Sequence, residues 1–226
     1  MIRLKRQRWI PAVEACGVVL FAALLLLLAG RVVSALRSPL AWAMLAAAAP
    51  IGYLLSDFAS GVAHWFCDTF FEEDTPLVGR LVIASFREHH RAPEAMTGHG
   101  FLELNGNNCL ALVPLLGAAA GLGGPAPGSG ASIFAHATLL FFTLGVFATN
   151  QFHRWAHDRE APRFAQWLQR HGLILRPGHH ASHHAPPHTA AYCVTTGWMN
   201  RLLEPIGFFP ACARALIALG FPRSRR

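Results

Sequence analysis

From Ile10 to Gly30 the chain runs for 21 residues with a single charge, Glu14, close to one end. As a helix this stretch covers roughly 30 Å, the thickness of a bilayer's hydrocarbon core. Three further apolar stretches follow. Residues 40–60 are Ala-rich with Pro50 and Gly52 inside, 109–122 form a shorter run, and 131–149 are long and Phe-rich. Between the last two, Gly123-Gly-Pro-Ala-Pro-Gly-Ser-Gly130 reads as a tight turn. With 53% apolar and only 14% charged residues, and a mean hydropathy of +0.35, the expectation is an all-α integral membrane protein. One membrane domain, 1–226, with about four transmembrane helices, is expected rather than two globular domains. Met1 to Trp9 followed by an apolar run has the outline of a secretory signal, but the later spans make it the first of several helices.

Charge orients this arrangement. Four spans put both termini, residues 57–108 and everything after Asn150 on one side, and these segments carry 17 of the 19 basic residues, against Arg31 and Arg37 in the opposite loops. By the positive-inside rule both termini are cytoplasmic. Lys5 stands alone against 18 arginines, which points to a GC-rich bacterial genome and hence a bacterial inner membrane. The net charge of +7 and pI near 9.9 do not make a nucleic-acid protein. The arginines flank apolar runs instead of forming an aromatic-interleaved basic face, so an anionic lipid surface is the expected partner. Residues 198–221 mix apolar and basic residues in the manner of an interfacial segment, not a fifth span. The five cysteines are odd in number, scattered and without CxxC spacing, and are expected as buried thiols.

Thirteen histidines are a high count for 226 residues, and their spacing carries more than their number. Asp57, Gly61, His64 and Asp68 fall four, three and four apart, so a continued helix presents all of them on one face, with Gly61 allowing another group to approach. Asn150, His153 and His157 repeat the three-four spacing just beyond the fourth span, and His99, Glu103 and Asn107 are spaced four-four. His180-Ala-Ser-His183-His184 puts its first and last imidazoles one helical turn apart, and His89-His90 supplies another adjacent pair. Residues 57–108 and 150–190 thus form a histidine-rich helical cap on the cytoplasmic side. His136 alone lies inside an apolar span, where a packing role with a hydrogen bond to a neighbouring span is expected. His171 reads as a surface or capping residue; His179 and His188 stay undecided.

Imidazoles coordinate at about 2 Å, so ligands have to converge from rigid elements. Neutral imidazole suits zinc, copper, iron or nickel, whereas calcium or magnesium wants an oxygen-rich site. Eight or more histidines with nearby carboxylates exceed the four ligands of one structural zinc and favour two ions. The expected ligand set is His64, Asp68, His89, His90, His99, His153, His157, His180, His183 and His184, with Asp57, Glu103, Asn107 and Asn150 orienting ligands or bound water. A surface metal-sequestering tract is the bland alternative. A metal carrier would string ligands along the spans as a pathway, whereas these gather at span ends. A zinc-dependent membrane hydrolase would use the same residues on a metal-bound water.

Asp57-Phe-Ala-Ser-Gly-Val-Ala-His-Trp-Phe-Cys-Asp-Thr69 and Phe86-Arg-Glu-His-His90 resemble the motifs of the plasmanylethanolamine desaturases, the Kua-type membrane desaturases. Thr97–Cys109, Asn150-Gln-Phe-His-Arg-Trp-Ala-His157 and His179-His-Ala-Ser-His-His-Ala-Pro-Pro-His188 are similar to its other histidine motifs, in family order. Tyr192–Asn200 and Leu203–Phe208 resemble its C-terminal signature. The likeness covers roughly residues 56–209. It implies an O2-dependent enzyme that converts the 1-O-alkyl chain of an ether phospholipid to the 1-O-alk-1'-enyl chain of a plasmalogen. It also implies two iron ions and a small electron-transfer protein, cytochrome b5-like or ferredoxin-like, with its reductase, because the chain has no Gly-rich dinucleotide fingerprint or haem motif. Arg87 or Arg91 would then meet the headgroup phosphate. Another di-iron lipid desaturase or hydroxylase would use the same ligands.

Overall fold

The computed structural model describes residues 8–76 and 78–224, with the backbone alone at 80 and 81. Among these residues there is no strand, only an isolated bridge between Phe70 and Arg223. Among the described residues, three helices are long and apolar enough to cross a membrane: α1 (Ile10–Ala35), α2 (Pro39–Thr69) and α5 (Gly130–His157). This is a multi-pass arrangement, and each helix extends past its expected end. Pro11 sits in the first turn of α1, where its missing N–H costs nothing. The Ser38 hydroxyl accepts the Ala41 N–H at 3.2 Å to open α2. A fourth span would have to be α4 (Phe101–Leu122), which begins eight residues before the expected 109 because Glu103, Asn105, Asn107 and Asn108 are helical too. Those polar residues keep α4 out of the set of helices apolar enough to span.

The chain forms two compact units, and α2 and α5 contribute to both. The first comprises the chain up to Tyr53 together with His99–Phe147. Its core joins Phe21, Leu28 and Val32 of α1 to Ala48, to Cys109, Leu112 and Leu116 of α4, and to Ala137. Small residues bring these helices close. A Cβ at Gly52 would meet the Thr138 carbonyl and Phe141 at 2.6–2.7 Å, and one at Gly106 would run into the side chain of buried Glu14. Arg31 donates to the Ala120 and Gly123 carbonyls at 2.9 and 3.0 Å and so closes the C-terminus of α4. His136 donates from Nδ1 to the Ser132 carbonyl of its own helix at 2.8 Å, not to a neighbouring span as expected. Cys16 is exposed and Cys212 intermediate, so the expected buried thiols are Cys67, Cys109 and Cys193 alone.

The second unit comprises Leu54–Gly98 and the chain from Ala148 onward. It holds the end of α2, a π-helical turn (Gly79–Ile83), α3 (Ala84–Arg91), a 3-10 turn (Pro93–Gly98), the end of α5, α6 (Arg163–Arg170), α7 (Pro177–His184), α8 (Asn200–Leu203) and α9 (Phe208–Ala218). Trp65, Phe70, Tyr192, Cys193, Leu203 and Phe209 form its core. A Cβ at Gly61 would collide with the Cys193 sulfur, which is the close approach the sequence suggested. Eleven-residue α9 is too short to cross a bilayer.

Candidate metal centre

Histidines of the second unit gather into two groups of ligand atoms. Nitrogens of His89, His153, His157, His180 and His184 all lie within 4.8 Å of one another, and so do those of His64, His90 and His183 with an oxygen of Asp68. Four helices supply them. The end of α2 brings His64 and Asp68, α3 brings His89 and His90, the end of α5 brings His153 and His157, and α7 brings His180, His183 and His184.

Helical spacing decides which group each side chain joins. Residues four apart share a face and enter the same group: His153 with His157, His180 with His184, His64 with Asp68. Adjacent residues point about 100° apart on a helix of 3.6 residues per turn. They are divided accordingly: His89 and His184 enter the first group, and their neighbours His90 and His183 the second. Two adjacent pairs therefore bind the two groups to each other.

In the five-imidazole group the Nε2 atoms converge. His180 Nε2 lies 2.7 Å from that of His153, 2.8 Å from that of His157 and 3.0 Å from that of His184, and His89 Nε2 lies 3.2 and 3.1 Å from those of His157 and His184. One ring nitrogen has a single proton or a single lone pair, so protons cannot satisfy three such neighbours at once. A cation can. Two nitrogens bound at about 2.0–2.1 Å and at right angles on one ion stand about 3 Å apart. In the second group, His90 Nε2 lies 3.0 Å from both Asp68 oxygens, while those of His183 and His64 are 3.5 and 3.6 Å from Oδ2. His64 is 2% exposed, and neither of its ring nitrogens has a hydrogen-bond partner among the described residues. Leaving such a buried group unsatisfied is unfavourable unless an ion takes the lone pair. His183 is oriented from behind: its Nδ1 donates to the Ala190 carbonyl at 2.7 Å, turning Nε2 inward.

Electrostatics favours neutral imidazoles here. Burial first, then His157 and His184, hold His89 well below its usual pKa, and the same causes act on His180. Burial, His157 and His183 bring His184 down to about 3. The lone pairs are therefore available near pH 7, as ligation requires. Five imidazoles in one group and three with a carboxylate in the other exceed a tetrahedral structural zinc and suit two ions of a metal that accepts nitrogen and oxygen, iron among them.

Other residues singled out in the sequence lie elsewhere. His99 precedes α4 in the first unit, 3.8 Å from Glu103, and belongs to neither group; Asn107 is exposed on α4. Asn150 lies on α5 one turn before His153. Asp57 is fully buried, and its oxygens accept the N–H groups of Thr195, Thr196, Gly197 and Met199 at 2.7–3.1 Å. Its carboxylate thus holds the loop after α7. His171 caps α6 and is exposed, as expected. Arg87 donates to the Phe71 carbonyl and Arg91 pairs with Glu73.

Sequence reasoning gave no role to Asn200 or His188. Buried Asn200 pairs with both backbone groups of Cys193 and donates to His179 Nε2 at 2.8 Å, which ties the loop to α7. The His188 ring lies 4.8 Å from that of His90, and its Nδ1 is 3.2 Å from the His183 carbonyl. Nothing local signals either contact, since each depends on how the loop folds back.

Residues 53–225 match the lipid desaturase domain. The chain is 39% identical over 212 residues to a plasmanylethanolamine desaturase of Myxococcus xanthus, covering 93% of this chain and 74% of that one. It is 42% identical over 162 residues to plasmanylethanolamine desaturase 1 of Mus musculus, covering 70% of this chain and 59% of the relative. With the chloroplastic fatty acid desaturase 4-like 2 of Arabidopsis thaliana it shares 33% over 181 residues, 76% of this chain and 61% of the relative. No solved structure matches it. A helical membrane chain with imidazoles gathered at helix ends and these relatives belongs to the lipid desaturase family, as an oxidoreductase related to the plasmanylethanolamine desaturases.

Proposed function

We propose that this chain desaturates the 1-O-alkyl chain of an ether phospholipid, plasmanylethanolamine, to the vinyl ether of a plasmalogen. Two iron ions would be held, one by His89, His153, His157, His180 and His184, the other by His64, Asp68, His90 and His183. The pair of abutting groups is the observation that carries the reading, together with the activity that two relatives are named for. The balance is O2, two external electrons and two protons, with two hydrogens leaving the alkyl chain and two waters formed. When bound, the irons supply the oxidant that an unactivated C–H bond requires. Electrons would come from a small redox protein, cytochrome b5-like or ferredoxin-like, with its reductase.

The chain's own residues prepare the site. Burial of His64, His180 and His183 below 3% exposure excludes water from the ligands. The Ala190 carbonyl fixes the His183 tautomer, and the Asp57-held loop carries that carbonyl's neighbours. Asn150, one turn before His153, is assigned to orienting ligands or bound water. The lipid is taken from the membrane, with α4 as a fourth span, both termini cytoplasmic and the bacterial inner membrane as the location.

A second reading, desaturation of a fatty acyl chain, is favoured by the names of the Arabidopsis relatives. Mass spectrometry of ether lipids separates the two, in a plasmalogen-free host fed alkylglycerol, with and without oxygen and beside a His183→Ala control. An acid-labile alkenyl lipid that needs both oxygen and His183 is expected. New acyl double bonds with an unchanged ether pool would favour the second reading.

A further inference from the structure

α6 is amphipathic in an unusual sense. Phe164 and Trp167 project outward, 59% and 48% exposed, while Gln169 on the opposite face is buried at 6%. That polar face borders an open cleft of about 420 Å³ lined by Gln166, Gln169, Arg170, Arg176 and Pro177. Gln169 Nε2 is buried there with no hydrogen-bond partner among the described residues. Gln166 spends its own Nε2 on the Ala161 carbonyl at 2.7 Å. Arg176 is fixed in place, donating from Nε to the Gln169 carbonyl at 3.1 Å and from Nη2 to that of Arg170 at 3.3 Å, so its guanidinium is held at the cleft with no carboxylate partner among the described residues. Two arginines and one unsatisfied amide donor line the cleft, a donor set that suits a phosphate.

Position says which phosphate. Pro177 opens α7, and His180 follows one turn later, a rise of about 4.5 Å, with His184 about 10 Å along. That is comparable with the few bonds between the phosphate of a glycerophospholipid and its 1-O-alkyl carbons. Of the arginines expected from sequence to meet the headgroup, Arg91 is already paired with the Glu73 carboxylate. The outward aromatics of α6 continue a series that begins on membrane-length α5: Phe152 stacks on Trp155 at 5.9 Å and Trp155 meets Phe164 edge-on at 5.2 Å. Of these, the tryptophans Trp155 and Trp167 are of the type that favours the headgroup level of a bilayer.

We propose that the cleft between α6 and the start of α7 seats the phosphate of the lipid substrate, held by Arg170, Arg176 and Gln169. The seat measures out the distance from headgroup to metals, and so selects the carbons beside the ether oxygen. The inference rests on the lipid reading above, but its test needs no turnover. The full chain, metal-loaded in neutral detergent without oxygen, is titrated calorimetrically with a short-chain ether phosphatidylethanolamine, with the matching dialkylglycerol and with inorganic phosphate. Gln169→Leu and Arg170→Gln are compared singly and together, with Arg176 kept because it closes α6. Loss of a charge-assisted contact should weaken phospholipid binding about tenfold or more. Dialkylglycerol affinity and metal content should stay unchanged. Equal phospholipid affinity in wild type and double variant, or parallel weakening of both lipids, would overturn the proposal. So would inorganic phosphate lost from the variants while phospholipid binding persists, which marks a free-phosphate site. Absent desaturation with phospholipid binding intact would instead count against the reaction.

Discussion

The two ligand groups differ in charge and in burial. One consists of five imidazoles, three of them, His89, His157 and His184, partly exposed; the other has three imidazoles around a carboxylate, with His64, Asp68 and His183 each at 2% exposure or less. A neutral shell leaves the full charge of its ion uncompensated, whereas Asp68 offsets one unit of charge where water is scarce. The pair is therefore asymmetric. The carboxylate group should hold its ion the more tightly, and the five-imidazole group should be the one that responds to solution conditions.

The largest expected effect follows from Asp68→Asn, which keeps the shape and removes the charge. Activity should fall about a thousandfold and bound iron should drop towards one per chain, measured by elemental mass spectrometry beside lipid turnover. Simultaneous loss of both irons would break the comparison, since the groups would then be one site. His184→Ala removes one imidazole of five, and a smaller loss, about ten- to hundredfold in activity with most iron retained, is expected.

Acid should separate the groups further. His89, His180 and His184 have folded pKa values depressed below the unfolded value near 6.5. The unfolded chain therefore binds more protons between those values, so their contribution to stability is complete above about pH 6.5 and declines as pH falls towards the depressed values. Protons also compete with the metal for the same nitrogens. Chelator-accessible iron should appear only as pH falls well below 6.5 towards the depressed values, one ion before the other. Release of both ions together, or none, would contradict the asymmetry.

The smallest effect on chemistry should come from Asp57→Ala. Its four backbone donors lose their acceptor, which should cost on the order of 3 kcal/mol of stability in detergent melts. Iron content at low temperature should stay near wild type. If iron is lost selectively from the carboxylate group, the loop acts on that group directly.

Much of the site was legible because helical periodicity is a local property. His153 with His157, and His180 with His184, meet as their spacing requires. The division of His89 from His90 and of His183 from His184 could not be read, because it depends on the directions in which α3 and α7 approach the others. Asp57 was correctly put on the His64 face of α2, yet its partners lie 138 to 142 residues away, and no spacing reveals a contact at that range. His136 illustrates the reverse: a polar side chain in an apolar helix can satisfy itself on the carbonyl one turn back. The apolar runs located the three long helices, but hydropathy put the start of α4 too late, since Glu103 to Asn108 are polar and still helical.

Mössbauer spectroscopy of the full chain loaded with iron-57 tests the two-group assignment most directly. Two irons per chain, giving two quadrupole doublets of equal area of which one alone changes in Asp68→Asn, are expected. One iron per chain, or a single doublet untouched by that substitution, would contradict the assignment.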